Sequence, residues 1–310
     1  MAMVTEPLQY EFFRNGLLVA TLVGALCGLI GVPIILRRMS YIGHGLSHSV
    51  FGGAVVGYLM QWNFYLAAGA WGFLSALLIN ATARRRHIGA DAAIGIITTA
   101  SFALGVALIS KTRRFTRNFE AALFGNILGV TRQDILVITA VTLIVGIAVF
   151  LGYKQLLFAT FDPELARVYG VPTRWVDTGF ALALAATIVA SMNIVGVTLI
   201  AAAIVIPPTT ARLLTKSFGR LLILSTVLGA AYGFFGMFLS YRYDVASGAA
   251  IVLLAAAVFA AVYLATGVWR VLGARTPVAA HRAGAPAPTQ MAAAAAIVAP
   301  AASGDDHHFD

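Results

Sequence analysis

The sequence predicts an all-α polytopic membrane protein with eight or nine transmembrane helices. Three observations carry that prediction. Of 310 residues, 60% are hydrophobic and only 11% charged, with a mean hydropathy of +0.88. A soluble domain has no use for that much apolar surface. The apolar residues fall into nine runs of spanning length, and the positive residues punctuate those runs instead of gathering into one patch. The formal charge of +9 therefore sets topology, with lipid as the surrounding partner and nucleic acid excluded.

The runs are Gly16–Leu36, Ile42–Met60, Phe64–Ala83, Ala92–Ile109, Ile135–Gly152, Val176–Met192, Ile194–Leu214, Leu221–Leu239 and Val245–Val268. Each falls in the range of about 17–25 residues over which a helix spans a hydrocarbon core. Ile194–Leu214 is expected to be the least regular, because Pro207 and Pro208 remove helix hydrogen bonds near one end. With nine spans and the N-terminus outside, fourteen of the 21 lysines and arginines lie inside, among them Arg37, Arg38 and Arg84–Arg86. The main exception is the basic outer loop that holds Arg113, Arg114 and Arg117. The N-terminal segment lacks the basic n-region of a cleavable signal, and its first apolar run is too long for one. Residues 1–15 thus form a short leader to a transmembrane domain over 16–268. An Ala- and Pro-rich tail over 269–310 is expected to be disordered.

Between spans, two segments are more specific than a linker requires. Phe119–Val130 is too short to cross and too apolar for a free loop, which predicts a short helix at the outer face. In Asp162–Gly170, Asp162 can cap a helix whose first residue is Pro163, and Gly170 can end it. A charged helix of about two turns on the inner face is expected there. The small-residue pairs Gly24/Gly28, Gly53/Gly57 and Gly229/Gly233 have the spacing at which membrane helices approach closely. Cys27, the single cysteine, excludes an internal disulfide and a cysteine metal cluster, and reads as a small buried hydrophobe.

The chemistry concentrates in the second run. His44 and His48 are four residues apart, so on a helix they share a face, about 9 and about 15 Å beyond Arg38 along the axis. Metal-competent side chains at such depth either line a substrate path or hydrogen-bond neighbouring helices. Asp91, at the start of the fourth run, is a third candidate ligand for a divalent cation and equally a helix cap. No G-x-x-x-x-G-K-[ST] loop is present, so this chain has no standard cradle for ATP phosphates. Without the H-E-x-x-H pattern, a membrane metallohydrolase lacks its general base. Ser47 and His48 point about 100° apart on a helix, which disfavours a nucleophile–base pair.

Arg38-Met-Ser-Tyr-Ile-Gly-His-Gly-Leu-Ser-His48 resembles the second-span signature of the membrane permeases of manganese, zinc and iron ABC importers. In the same order as in that family follow Asp91-Ala-Ala-Ile-Gly-Ile, Leu123–Gly129, Phe161–Gly170, Ile206-Pro-Pro-Thr-Thr-Ala-Arg-Leu-Leu214 and Ala246–Val252. The resemblance runs from Gly16 to Val268. One departure is His44, where the family commonly carries Asp.

The resemblance implies a cobalamin-importer-like ABC permease fold in a bacterial cytoplasmic (inner) membrane, with two permease copies lining one pore. It implies two cytoplasmic ATPase subunits and an external metal-binding protein as partners. The cargo would be manganese or zinc, with iron also compatible, and no cofactor would be held permanently. His44, His48 and Asp91 would then be metal-contacting residues. Asp162, Glu164, Arg167, Tyr169 and Gly170 would belong to the coupling helix that docks on the ATPase, and Arg113, Arg114 and Arg117 would receive the binding protein. The alternative that the residues leave open is a stand-alone secondary carrier for a divalent metal.

Overall fold

A computed structural model describes residues 6–83, 89–112, 125 and 127–273. The described residues are helical throughout: α1 Glu11–Leu36, α2 Tyr41–Leu59, α3 Phe64–Ala83, α4 Ala90–Thr112, α5 Arg132–Leu151, α6 Tyr153–Phe161, α7 Pro163–Val168, α8 Thr173–Val195, α9 Val197–Leu214, α10 Phe218–Tyr243 and α11 Ser247–Gly273. One-turn 3-10 segments lie at Pro7–Gln9 and Ile127–Gly129. The chain through Leu264 is one compact unit, and residues from Ala265 onward form a second.

Each of the nine apolar runs becomes one long helix, within a few residues at either end. Eight of them are long and apolar enough to cross a membrane, and α2 is the exception. At 19 residues α2 is about 28 Å long, so composition and not length sets it apart. Thirteen of its residues are buried, because α3, α4, α8 and α9 pack around it. A helix enclosed by others has no lipid-facing side to keep apolar, so it can carry glycines, serines and histidines.

Small residues let the bundle close. A Cβ on Gly24 would lie 2.1 Å from the carbonyl oxygen of Gly229, and one on Gly233 would lie 2.1 Å from that of Ala20. One turn beyond the Gly24–Gly229 contact the Ser225 hydroxyl donates to the Gly28 carbonyl at 2.6 Å. α1 and α10 therefore meet backbone to backbone, the contact that small-xxx-small spacing permits. Gly53 and Gly57 do the same for α2 against Trp71 and Ala67 of α3. We expect Gly24→Ala to lower the melting temperature of the purified protein markedly, since overpacking costs about 1–3 kcal/mol when backbone cannot yield. Gly146→Ala is the control, because nothing lies within 4 Å of its added carbon. Equal melting for the two variants would show that the α1–α10 approach is not tight.

The prolines do not break α9. Pro207 and Pro208 are buried inside a helix that continues to Leu214. The prolines supply no N–H to the Ala203 and Ile204 carbonyls, and one turn on the Thr209 and Thr210 hydroxyls donate to the carbonyls of Val205 and Ile206, at 2.6 and 2.9 Å. The break lies instead at Gly196, whose φ of +90° separates α8 from α9 by one residue. Ile194, Val195 and Val197 around it are all but fully buried, so this corner sits inside the bundle. Cys27 is a free, buried thiol, as its apolar surroundings predict.

Of the expected outer-face helix Phe119–Val130, the described part is the single turn Ile127–Gly129, with Ile127 buried against Gly16. Arg84–Arg86, Arg113, Arg114, Arg117 and the tail beyond Gly273 lie outside the described residues.

Candidate functional site

α2 begins directly after a tight turn. The N–H of Met39 bonds to the Ile34 carbonyl at 3.0 Å and Arg38 takes a left-handed φ of 57°, which ends α1 and reverses the chain within four residues. His44 follows one turn into α2 and His48 two turns in. Their rings meet edge to face with centroids 4.5 Å apart. Tyr41 lies 5.5 Å below His44, and Phe102 of α4 lies 5.0 Å from His48. The two imidazoles thus form a short ladder along one face of α2, bounded by aromatic rings. Glycines set the depth of this face. Gly45 rests against Ile94 and Thr98, and Gly52 against the Ser101 backbone, so α4 comes close enough for Phe102 to reach His48.

Both histidines are half-buried, and the Nδ1 of His48 is buried without a hydrogen-bond partner among the described residues. A buried imidazole nitrogen normally has a partner. The neighbouring hydroxyl does not supply one: Ser47 donates to the carbonyls of His44, at 2.8 Å, and Val197, at 3.2 Å. That pairing also places the buried α8–α9 corner against α2, and it agrees with the sequence argument that Ser47 and His48 do not act together.

Asp91 stands apart. It is exposed, in the first turn of α4, where a carboxylate complements the helix dipole. Along α4 it lies about one turn below Ile94 and two below Thr98, the two residues that meet Gly45. Among the described residues no three His, Cys, Asp or Glu side chains converge as a metal site. The chain therefore brings His44 and His48 together but does not add Asp91 to them.

At the end of the bundle that charge assigns to the inside, α7 forms as its sequence predicts. The Asp162 carboxylate accepts the Leu165 N–H at 2.9 Å, Pro163 occupies the first helical position, and Gly170 leaves with φ +76°. Ala166 is fully buried and anchors the helix. The opposite side is exposed: Glu164, Leu165, Val168 and Tyr169 face outward, with Val168 82% and Tyr169 73% accessible. Phe161 and Trp175 extend this apolar area on either side of α7. A contiguous exposed group of large apolar side chains marks a protein–protein or membrane interaction site. Arg167 is also exposed, but its Nε donates to the Thr173 hydroxyl at 3.3 Å, which ties α7 to the start of α8.

Two features escaped sequence reading. α6, between Gly152 and α7, is one. The other is Arg37, legible in sequence only as a topology signal. Its Nη1 bonds to the Asp177 carboxylate at 2.8 Å, its Nε donates to Thr160 at 3.2 Å, and its guanidinium carbon lies 5.1 Å over the Phe180 ring. A pairing across 140 positions of chain leaves no local sequence signal, although a lone Asp early in an apolar run is a hint.

These features define a class: a multi-pass helical membrane protein with a polar, histidine-bearing helix enclosed in the bundle and an exposed short helix at one end. The sequence matches the ABC 3 transport family over residues 9–266. It is 38% identical over 255 residues to the manganese transport system membrane protein MntC of Halalkalibacterium halodurans, covering 82% of this chain and 87% of that one. It is 36% identical over 256 residues to the probable iron transport system membrane protein of Haemophilus influenzae, covering 82% and 93%. Among solved structures, PsaBC from Streptococcus pneumoniae in complex with Fab superposes with a TM-score of 0.76 at 32% identity, over 84% of this chain and 94% of that one. The chain belongs to the ABC 3 transport family, and with that the resemblance read from its motifs, to the membrane permeases of manganese, zinc and iron ABC importers, holds.

Proposed function

We propose that this chain is the pore-forming permease subunit of an ATP-driven importer for a divalent metal cation, manganese or zinc, with iron also compatible. Two copies pair to line one pore, in a bacterial cytoplasmic membrane. Separate ATPase subunits hydrolyse ATP on the inner face, and an external binding protein delivers the metal. The observation that carries the reading is the edge-to-face His44–His48 pair on an enclosed helix, with a buried nitrogen of His48 unpartnered. Two imidazoles at this spacing offer nitrogen ligands to a borderline divalent ion, and water or a second copy completes the shell. An incomplete ligand set suits a transit site, where the ion must leave as readily as it enters. The absence of Asp91 from the pair is compatible with a role nearer the inner exit.

Transport is alternating access: ATP-driven closure of the ATPase pair moves α7, and the bundle reopens on the other side of the metal. The exposed apolar side of α7, with Glu164 and Tyr169, is the docking surface. The basic outer loop steers the binding protein. Replacing Arg113, Arg114 and Arg117 with Gln should slow association of that protein chiefly at low salt, where charges act beyond about 10 Å. Association rates that are identical for both forms at every salt concentration would remove the loop from docking.

The test of the whole reading is uptake of manganese and zinc into vesicles that hold this chain with its ATPase and binding protein. ATP-dependent uptake supports it. Uptake that needs only a proton gradient and not ATP would make the chain a stand-alone carrier.

A further inference from the structure

Between the ends of α1 and α3 and the starts of α2, α4 and α8 lies a cavity of about 380 Å³, roofed at the inner end by α6 and α7. Arg37, Asp177, Thr160 and Arg167 line it. Arg37 is its hub. The side chain is only 12% accessible, yet it bonds to α6 through Thr160, to α8 through Asp177, and stacks on Phe180 of α8. Its own backbone N–H donates to the Pro33 carbonyl at 2.9 Å and so closes α1 just before the turn that launches α2. His44 is seven residues further on.

We propose that Arg37 is a positioning residue that ties the α6–α7–α8 corner to the turn at the foot of the histidine helix, so that displacement of α7 moves α2. The inference rests on the importer reading above and adds the route by which the nucleotide cycle reaches the metal path. The connections run in sequence through the molecule. Arg167 of α7 bonds to Thr173 at the first residue of α8. Asp177 is one turn further along α8 and grips Arg37. Arg37 then passes through a four-residue turn, with Arg38 held left-handed, into α2.

The chemistry suits a tie more than simple packing. Three different groups hold one planar guanidinium, a geometry that lysine's single ammonium does not reproduce. The pair is mostly withdrawn from water, so loss of one partner is felt far more than at the surface. Nη2 of Arg37 is buried without a partner, which leaves the head group one amino nitrogen, with its two N–H donors, to hold a second arrangement as the corner moves. A tie of this kind carries coupling only if both ends shift together, which a cycle of variants reads directly.

The experiment compares wild type, Arg37→Gln, Arg37→Lys, Asp177→Asn and the Arg37→Gln/Asp177→Asn double variant. Each is reconstituted with its ATPase and binding protein, and manganese imported per ATP hydrolysed is recorded. This ratio is insensitive to simple loss of folded protein, since an unfolded complex contributes to neither quantity. Assembled Arg37→Gln and Asp177→Asn should each lose about tenfold in the ratio, with basal ATP hydrolysis kept. The double variant should be no worse than either single one, and Arg37→Lys should recover only part of the loss. If Arg37→Gln does not assemble, Asp177→Asn carries the test, because that carboxylate is 35% accessible and tolerates the change better. A wild-type ratio in assembled Asp177→Asn, or losses that multiply in the double variant, would overturn the tie. Wild type without ATP-driven uptake of manganese or zinc would instead fail the importer reading, and the tie with it.

Discussion

We expect His48→Ala to lower metal uptake by about two orders of magnitude or more, while the complex with its ATPase still assembles. The side chain sits two turns into α2 with one face against Phe102 and His44 and one buried nitrogen without a partner. Removing it takes away half of the paired imidazole ligands and leaves the helix intact, because Ala is a good helix former. His44→Asp is the informative companion. It places a carboxylate beside His48, as is common in the family, and exchanges a nitrogen for an oxygen ligand. Harder ions favour oxygen, so the manganese-to-zinc uptake ratio should rise while transport persists. In both wild type and His44→Asp, uptake falls on acidification, because a protonated imidazole has no lone pair to offer. Normal transport by His48→Ala would make these two residues packing histidines and move the path elsewhere.

The second large effect is expected at α7. Changing Glu164 and Tyr169 together to Ala should cut substrate-stimulated ATP hydrolysis about tenfold or more, as loss of an aromatic anchor from a protein interface does. Neither residue is buried: both are exposed, Tyr169 has one loose ring contact with Phe158 at 6.5 Å, and Ala166 and the Asp162 cap hold the helix from its other side. The melting temperature of the isolated permease should therefore be unchanged. Stimulation that survives in the double variant would show that the ATPase docks on another surface, the area around Trp175 being next in line.

The parts of this molecule that were legible in sequence are those set by local rules. Apolar run length fixed the long helices, and the Asp162–Pro163 start with its Gly170 stop marked α7, because caps and stops act within four residues. The small-residue pairs lie at close helix contacts, as their spacing suggested, but that these join α1 to α10 and α2 to α3 was not legible. The His44–His48 pairing was also local, since helical geometry alone puts i and i+4 together. What sequence did not yield depends on tertiary neighbours. Pro207–Pro208 looked like a break, but the prolines are buried in a continuous helix, and Gly196 takes the break instead. The Arg37–Asp177 pair joins α1 to α8, and nothing near either residue points to the other. Asp91 had the right chemistry in the sequence, but the register of α4 against α2 decides its distance from the histidines, and that register comes from glycine contacts across two helices.

The most direct measurement of the central claim is pulsed electron paramagnetic resonance of manganese held in the assembled transporter during arrested turnover. Coupling to two imidazole nitrogens should be present in wild type and reduced to one in both His48→Ala and His44→Asp. Manganese trapped in the membrane domain that shows no nitrogen coupling at any stage of the cycle would contradict the claim that the metal passes along the histidine face of α2.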